Sequence, residues 1–302
     1  MGAEVRPHGF QSSRRHGRRV HRAGDRKMDG VVVVRPALRY MGGKWRIAPW
    51  VASFFPPHGI YVELFGGSAA VLLRKRPAFR EVYNDINGDV VNFFRVLRDQ
   101  PDELTRRLKL TPFSREEHDL AWLNEPSADA VDRARRLFVR SWMSVGPAGA
   151  TRKSKPGFKR GSRELKVDEV TPFVYAVDGL PELAKRLRTV TIENNDAFDL
   201  LEHYDGQQTL FYIDPPYCAD YSDKYVHEFS EYERLLNACN ELSGYVLLSG
   251  YDSSLYRSIL RGWRIKLRQT KAFKNKDATE CLWISPRTWD ALQRERGGLL
   301  AV

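Results

Sequence analysis

Residues 209–217 read Thr-Leu-Phe-Tyr-Ile-Asp-Pro-Pro-Tyr, an apolar run that ends in a carboxylate and two prolines. The first five residues are β-branched, aromatic or aliphatic, a composition typical of a buried β-strand. Asp214 follows directly, and the prolines end the strand because they cannot donate a hydrogen bond to a sheet. In an open parallel sheet, ligands bind beyond the carboxyl ends of the strands. The stretch therefore predicts a buried strand that delivers Asp214 to a ligand site.

Six further runs of the same kind flank this strand, and amphipathic segments separate several of them. Such alternation predicts an α/β fold with a seven-stranded, mostly parallel sheet and helices on both faces. The predicted strands cover residues 60–65, 81–84, 189–193, 209–213, 245–249, 264–267 and 279–285, and the main helices cover 87–100, 181–188, 230–242 and 253–260.

Residues 101–180 interrupt this alternation, because helical patterns at 101–110, 114–123 and 128–144 run together there. They predict a mainly helical insert. Its last part, residues 152–166, holds seven basic residues and one acid. That density of positive charge favours contact with nucleic-acid phosphates over the alternative, a solvated surface loop. The candidate contact residues, with one aromatic ring for stacking or wedging, are Arg136, Arg140, Arg152, Lys153, Lys155, Phe158, Lys159, Arg160 and Arg163.

The composition of the 302 residues narrows the class of protein. Mean hydropathy is −0.50, and no apolar run approaches the roughly 20 residues that cross a membrane. The three cysteines are too scattered for a disulfide framework or a zinc site, and the first 30 residues lack the apolar segment of a secretory signal. We therefore expect a cytoplasmic protein without a metal.

The positive charge is concentrated near the start of the chain. Residues 1–27 carry eight Arg and Lys against two acids, within a net charge of +11 for the whole chain. Because this segment has few apolar side chains to bury, residues 1–35 are predicted to be a disordered basic arm. The basic balance makes nucleic acid the first partner to consider.

The motif after the strand at 209–213 suits one chemistry. Because Pro216 has no amide hydrogen, the carbonyl of Pro215 is left as an acceptor beside the Asp214 carboxylate. Two acceptors can accept hydrogen bonds from both hydrogens of the exocyclic amino group of a nucleobase and direct the nitrogen lone pair towards an electrophile. Tyr217 offers a ring to stack on the base, which must leave a duplex to reach such a pocket. The alternative is a strand that ends in an ordinary turn.

Acids and glycines also follow other predicted strands. Residues 63–68 read Glu-Leu-Phe-Gly-Gly-Ser, where a ligand can approach the glycine backbone closely and the acid can bind an ammonium group. Asp85 suits a ribose diol, and Asp196 with Phe198 offers an acceptor and a ring, although each acid could instead cap a helix. Residues 39–44, Arg-Tyr-Met-Gly-Gly-Lys, precede a helical pattern and could hold an anion, but the phosphate-loop pattern is absent.

Taken in order, these motifs resemble those of the DNA adenine-N6 methyltransferases over residues 38–285. The resemblance implies the Rossmann-like fold of class I methyltransferases, with a catalytic domain at 36–100 and 181–302 and a DNA-recognition domain at 101–180. It also implies a restriction-modification setting, S-adenosylmethionine as methyl donor, and an adenine flipped from double-stranded DNA as the substrate of residues 214–217. The donor-binding residues that it implies are Tyr40, Gly42, Lys44, Glu63, Phe65, Gly66, Gly67, Asp85, Asp196 and Phe198.

Two other functions stay open on the sequence alone. A methyltransferase that acts on RNA or on a protein amide would have the same donor site, and an inactive relative could retain only DNA binding. An NAD-binding enzyme is disfavoured, because residues 65–70 read Phe-Gly-Gly-Ser-Ala-Ala and lack the Gly-x-Gly-x-x-Gly pattern. We expect an active enzyme that is a monomer or a weak dimer.

Overall fold

A computed structural model of the chain describes residues 36–123, 125, 128–161, 168–216, 229–271 and 277–299. The predicted basic arm, Arg163 and Tyr217 lie outside these ranges. No helix within the ranges is long and apolar enough to cross a membrane. The same ranges contain no group of three or more His, Cys, Asp or Glu side chains placed to hold a metal ion. The cytoplasmic location and the oligomeric state stay predictions.

Seven strands form one sheet, in the order β3-β2-β1-β4-β5-β7-β6. Neighbours among β1 to β5 are parallel, and β7 runs antiparallel to both β5 and β6. This confirms the predicted α/β fold with a seven-stranded, mostly parallel sheet. The strands are β1 (Ile60–Glu63), β2 (Arg80–Asn84), β3 (Val190–Glu193), β4 (Thr209–Ile213), β5 (Tyr245–Gly250), β6 (Arg264–Lys271) and β7 (Asp277–Ile284).

Helices cover both faces of this sheet because successive strand side chains point to opposite sides. Tyr61 and Tyr212 belong to the core on one face, whereas Val62 and Phe211 belong to the core on the other. The first face is covered by α1 (Ala48–Ala52), α2 (Gly88–Asp99), α7 (Leu180–Leu187) and α11 (Pro286–Leu299), and the second by α8 (Ala197–Tyr204), α9 (Tyr232–Glu241) and α10 (Ser254–Ile259).

The insert is built from short helices that pack against α2. Phe93 of α2 stacks on Phe138 with the ring centroids 6.2 Å apart, and the Asn92 amide donates to the Ala130 carbonyl at 2.9 Å. The core of the insert therefore continues that of the sheet, and the predicted division into domains stays a prediction. The insert elements are α3 (Pro101–Lys109), α4 (Arg115–Leu120), α5 (Ala130–Met143), a 3-10 turn at Ala148–Ala150 and α6 (Val170–Asp178).

Sequence patterns did not predict α6 or α11. The sequence of α6, Val-Thr-Pro-Phe-Val-Tyr-Ala-Val-Asp, is rich in β-branched residues with low helix propensity. The helix forms because Phe173 packs against Phe138 and Phe113, with centroid distances of 5.5 and 5.7 Å. Tertiary packing, which no local pattern displays, thus outweighs propensity here.

Candidate active site

One pocket lies beyond the carboxyl ends of β1, β2 and β4, and most of the predicted site residues meet there. Thr151, which the sequence did not single out, also lines it, so the insert reaches the same cavity. Gly-Ala-Thr carries no motif by which that residue could have been found. The predicted residues that line the pocket are Tyr40, Gly42, Lys44, Glu63, Phe65, Gly66, Gly67, Asp85, Asp214, Pro215 and Pro216.

Asp196 and Phe198 are not among the residues that line this pocket. Asp196 is the N-cap of α8 and accepts a hydrogen bond from the Phe198 amide at 2.8 Å. The Phe198 ring is covered by the Arg234 guanidinium, whose central carbon lies 3.8 Å from the ring centroid. Their role in donor binding stays a prediction.

A buried lysine organises the floor of the pocket. The Lys44 ammonium lies 3.0 Å from Asp214 Oδ1 and 3.8 Å from Glu280 Oε2, and it donates to the Gly42 carbonyl at 3.0 Å. Burial alone would lower the pKa of Lys44, but the two carboxylates outweigh it and raise that pKa above its ordinary value. Lys44 therefore carries a permanent charge that fixes the orientation of Asp214.

Glu63 is the second acid of the pocket, and its side chain is 3% exposed. Its Oε2 accepts hydrogen bonds from the Tyr61 hydroxyl at 2.6 Å and from the Leu72 amide at 2.8 Å. Burial raises the pKa of Glu63 to about 8, although both hydrogen bonds oppose this. A ligand that carries a positive charge would stabilise the ionised form of this carboxyl group, so the site favours a cationic ligand.

Tyr61 was missed by sequence reasoning, although a signal exists for it. It lies two residues before Glu63 on β1, so both side chains are on the same face of the strand. The tyrosine is fully buried and does not line the pocket itself. It is a positioning residue that acts through Glu63.

The turn after β1 that contains Gly66 and Gly67, here called the glycine turn, is fixed to the end of β2. The Gly67 amide donates to Asp85 Oδ2 and the Asn87 amide donates to Asp85 Oδ1, both at 2.8 Å. Gly67 has a φ of +48°, a conformation that favours glycine. A Cβ on Gly66 would lie 2.1 Å from the Tyr83 ring. The N-cap of α2 is Asn87 rather than Asp85.

Several cations of the insert that were predicted to bind nucleic acid have acidic partners within the chain. Arg140 pairs with Asp89 at 2.9 Å and Lys155 with Asp119 at 2.7 Å. Arg136 pairs with Asp132 and Glu125, and Lys159 pairs with Glu169. Lys153 and Arg160 are exposed, and Arg152 is partly exposed.

Phe158 packs inside the insert rather than standing free. Its ring centroid lies 5.5 Å from that of Phe113 and 5.7 Å from that of His118, and the Arg115 guanidinium covers it at 5.2 Å. A bridge between Ser144 and Phe158 ties the basic loop to the end of α5. Nucleic-acid contact by these insert residues stays a prediction.

The buried carboxyl of Glu63 gives a prediction about stability. Because burial raises the pKa of Glu63 from its ordinary value of 4.5 to about 8 in the folded state, the folded state loses stability as pH rises between these values. Glu63→Gln, which cannot ionise, should therefore gain stability over the wild type by about 1.4 kcal/mol per pH unit between pH 5 and 8. Thermal melts of both proteins from pH 5 to 9, without ligand, measure the difference.

An exposed carboxyl serves as the control for this measurement. Glu202→Gln, on the solvent side of α8, should give melting temperatures that run parallel to the wild type at every pH. Parallel curves for Glu63→Gln as well would contradict the assignment of a raised pKa to Glu63.

Comparison with known proteins identifies relatives over most of the chain. Type II methyltransferase M1.LlaDCHI of Lactococcus lactis subsp. cremoris is 25% identical over 260 residues, which cover 79% of this chain and 89% of the relative. Type II methyltransferase M.MjaIII of Methanocaldococcus jannaschii is 25% identical over 207 residues, covering 61% and 69%. An rRNA methylase structure from Streptococcus thermophilus is 8% identical with a TM-score of 0.33, covering 80% and 94%.

A family profile gives the assignment. The profile of the D12 class N6 adenine-specific DNA methyltransferases matches residues 40–143 and 171–273. The two matched segments make up more than half of the chain and include the glycine turn, β4 and the Asp-Pro-Pro motif. The chain therefore belongs to the D12 class of N6 adenine-specific DNA methyltransferases.

Proposed function

We propose that this adenine-specific DNA methyltransferase takes its methyl group from S-adenosylmethionine and transfers it to N6 of an adenine flipped out of duplex DNA. The observation that carries the proposal is that Glu63 and Asp214 line one pocket. The first carboxyl suits a cationic ligand, and the second lies beside a proline carbonyl that can accept from an amino group. The two together suit a donor and a nucleobase held side by side.

The donor half of the pocket fits S-adenosylmethionine in three respects. Glu63 is a buried acid suited to the ammonium group of the donor. Phe65 and Gly66 both line the pocket, and a planar group of the donor can lie against the ring and the glycine backbone. The Asp85 carboxylate accepts hydrogen bonds from two backbone amides, which fix its position at the pocket, where it suits a ribose hydroxyl. When bound, S-adenosylmethionine supplies an electrophilic methyl group on a sulfonium.

The base half of the pocket prepares the nucleophile. Asp214 and the Pro215 carbonyl each accept one hydrogen of the adenine amino group, which localises the nitrogen lone pair. Lys44 holds Asp214 at 3.0 Å, so the carboxylate needs no reorganisation when the nitrogen becomes cationic during transfer. The proton then passes to solvent. Tyr217, outside the described residues, is still expected to stack on the base.

A rate measurement on Asp214 tests this division of roles. Asp214→Ala should reduce methyl transfer by at least about 10²–10³-fold, the cost of losing a preorganised polar group at the reacting atom. Donor affinity should change by no more than a few fold. Labelled methyl transfer to unmethylated duplex DNA gives the rate, and calorimetric titration with S-adenosylmethionine gives the affinity.

The same assay tests the proposed substrate. Single-stranded DNA and structured RNA serve as parallel substrates, and mass spectrometry identifies the product nucleoside. N6-methyladenine in the duplex supports the proposal. If Asp214→Ala loses donor affinity by the same factor as rate, its assignment to the base half is wrong.

The contact from Tyr61 to Glu63 gives a second prediction. Tyr61→Phe removes a hydrogen bond to the carboxylate, so the pKa of Glu63 rises further and donor binding weakens by about 10-fold, as for the loss of a hydrogen bond to a charged group. Affinity should reach its plateau at a higher pH than in the wild type. Titration of S-adenosylmethionine from pH 6.5 to 9.5 measures both effects.

Tyr175→Phe on the exposed side of α6 is the matched control and should leave donor affinity unchanged. A uniform loss of affinity in Tyr61→Phe, with no shift of its pH profile, would indicate a packing role only.

A further inference from the structure

The edge strand β6 carries a row of basic side chains on one face, and we call Arg264, Lys266 and Arg268 the β6 basic row. They alternate with Ile265 and Leu267, so all three point to the same side of the sheet. Arg264 and Arg268 are exposed, and Lys266 is half-buried.

Aromatic rings from the neighbouring helices hold the row in place. The Arg264 guanidinium carbon lies 5.8 Å and the Lys266 ammonium 4.7 Å from the Trp289 ring centroid. The Arg268 guanidinium carbon lies 5.6 Å from the centroid of Trp50. These contacts place the charged groups against the ring faces and restrict the side chains, while Arg264 and Arg268 stay exposed to solvent.

The row lacks acidic partners within the part of the chain that the structure describes, where no carboxylate lies within 4 Å of any of its three charged groups. The insert differs, because four of its predicted cations form ion pairs. Glu280 is opposite Arg268 in the strand register, but its carboxylate lies 3.8 Å from Lys44. Three like charges held beside one another repel each other, and a bound anion relieves that repulsion.

The row begins beside the active site. Arg268 lies opposite Glu280 in the strand register, and from there the row runs back along β6 for about 14 Å, with a cation about every 7 Å. It lies at the opposite edge of the sheet from β2 and β3, whose connection contains the insert. A ligand with regularly spaced negative charges, lying across the pocket, would meet the insert on one side and the row on the other.

We propose that the β6 basic row binds the sugar-phosphate backbone of duplex DNA next to the target base, without regard to sequence. The inference rests on the proposed function, because it takes DNA as the polyanion. It assigns to β6 a share of DNA affinity that the insert alone does not supply. Base recognition is left to other residues, since contacts to phosphates position DNA but do not read it.

The test is the salt dependence of DNA binding. A triple variant, R264Q/K266Q/R268Q, and the wild type are titrated with a fluorescent duplex of mixed sequence at several salt concentrations. Because each neutralised phosphate contributes about −0.9 to the slope of log K against log salt, the variant should have a slope smaller by about 2–3. Its affinity at 0.1 M salt should fall at least about 10-fold, whereas affinity for S-adenosylmethionine should be unchanged.

Two further proteins separate this effect from general loss of charge or of folding. R80Q/K185Q/R188Q removes the same charge from exposed residues at the amino ends of β2 and β3 and on α7, and it should bind DNA nearly as well as the wild type. R264K/R268K keeps the charge and should retain most of the affinity. Equal losses in the two triple variants would overturn the inference.

The failure of the inference and that of the proposed function are distinguishable. If the wild type methylates the duplex and the β6 variant binds it with the same slope and affinity, only the role of the row is wrong. If the wild type neither binds nor methylates the duplex, the proposed function is wrong, and the role of the row is wrong with it.

Discussion

The ion pair between Lys44 and Asp214 determines how the site is built. It joins the turn before α1 to the end of β4, and Glu280 of β7 adds a third segment. A lysine that is 4% exposed would be strongly destabilising without these carboxylates, and the carboxylates would repel one another without the lysine. The three segments are therefore tied together by one charge, which determines the position of the Asp214 carboxylate.

The sequence predicted the sheet well because its strands are short apolar runs with clear ends. β4 matches its predicted bounds at 209–213, and the acids after β1, β2 and β4 meet in one pocket, as the rule for the carboxyl ends of parallel strands requires. Asp196 shows the limit of that rule. It follows β3, the edge strand, and there it caps a helix instead of lining the pocket.

The features that the sequence did not predict depend on contacts between distant segments. No local sequence pattern predicts α6 or the position of Thr151, because both depend on how the insert packs. The charge pattern of the insert was visible, but most of its acidic partners were not, since they are distant in sequence: Asp89 and Arg140 are 51 residues apart. A count of basic residues thus overstates the positive charge that the insert has available for a ligand. The cations of the β6 basic row form no such ion pairs with the described residues.

The contact of Thr151 with the pocket has a consequence for exchanging the insert between relatives. A graft that replaces the whole insert also replaces part of the wall of the pocket that Glu63 and Asp214 line. The segment before Thr151 tolerates little change, because a Cβ on Gly149 would lie 1.9 Å from the Arg140 carbonyl oxygen. A chimaera that receives a foreign insert should therefore keep the host sequence from the end of α5 through Thr151 and begin the foreign sequence after it.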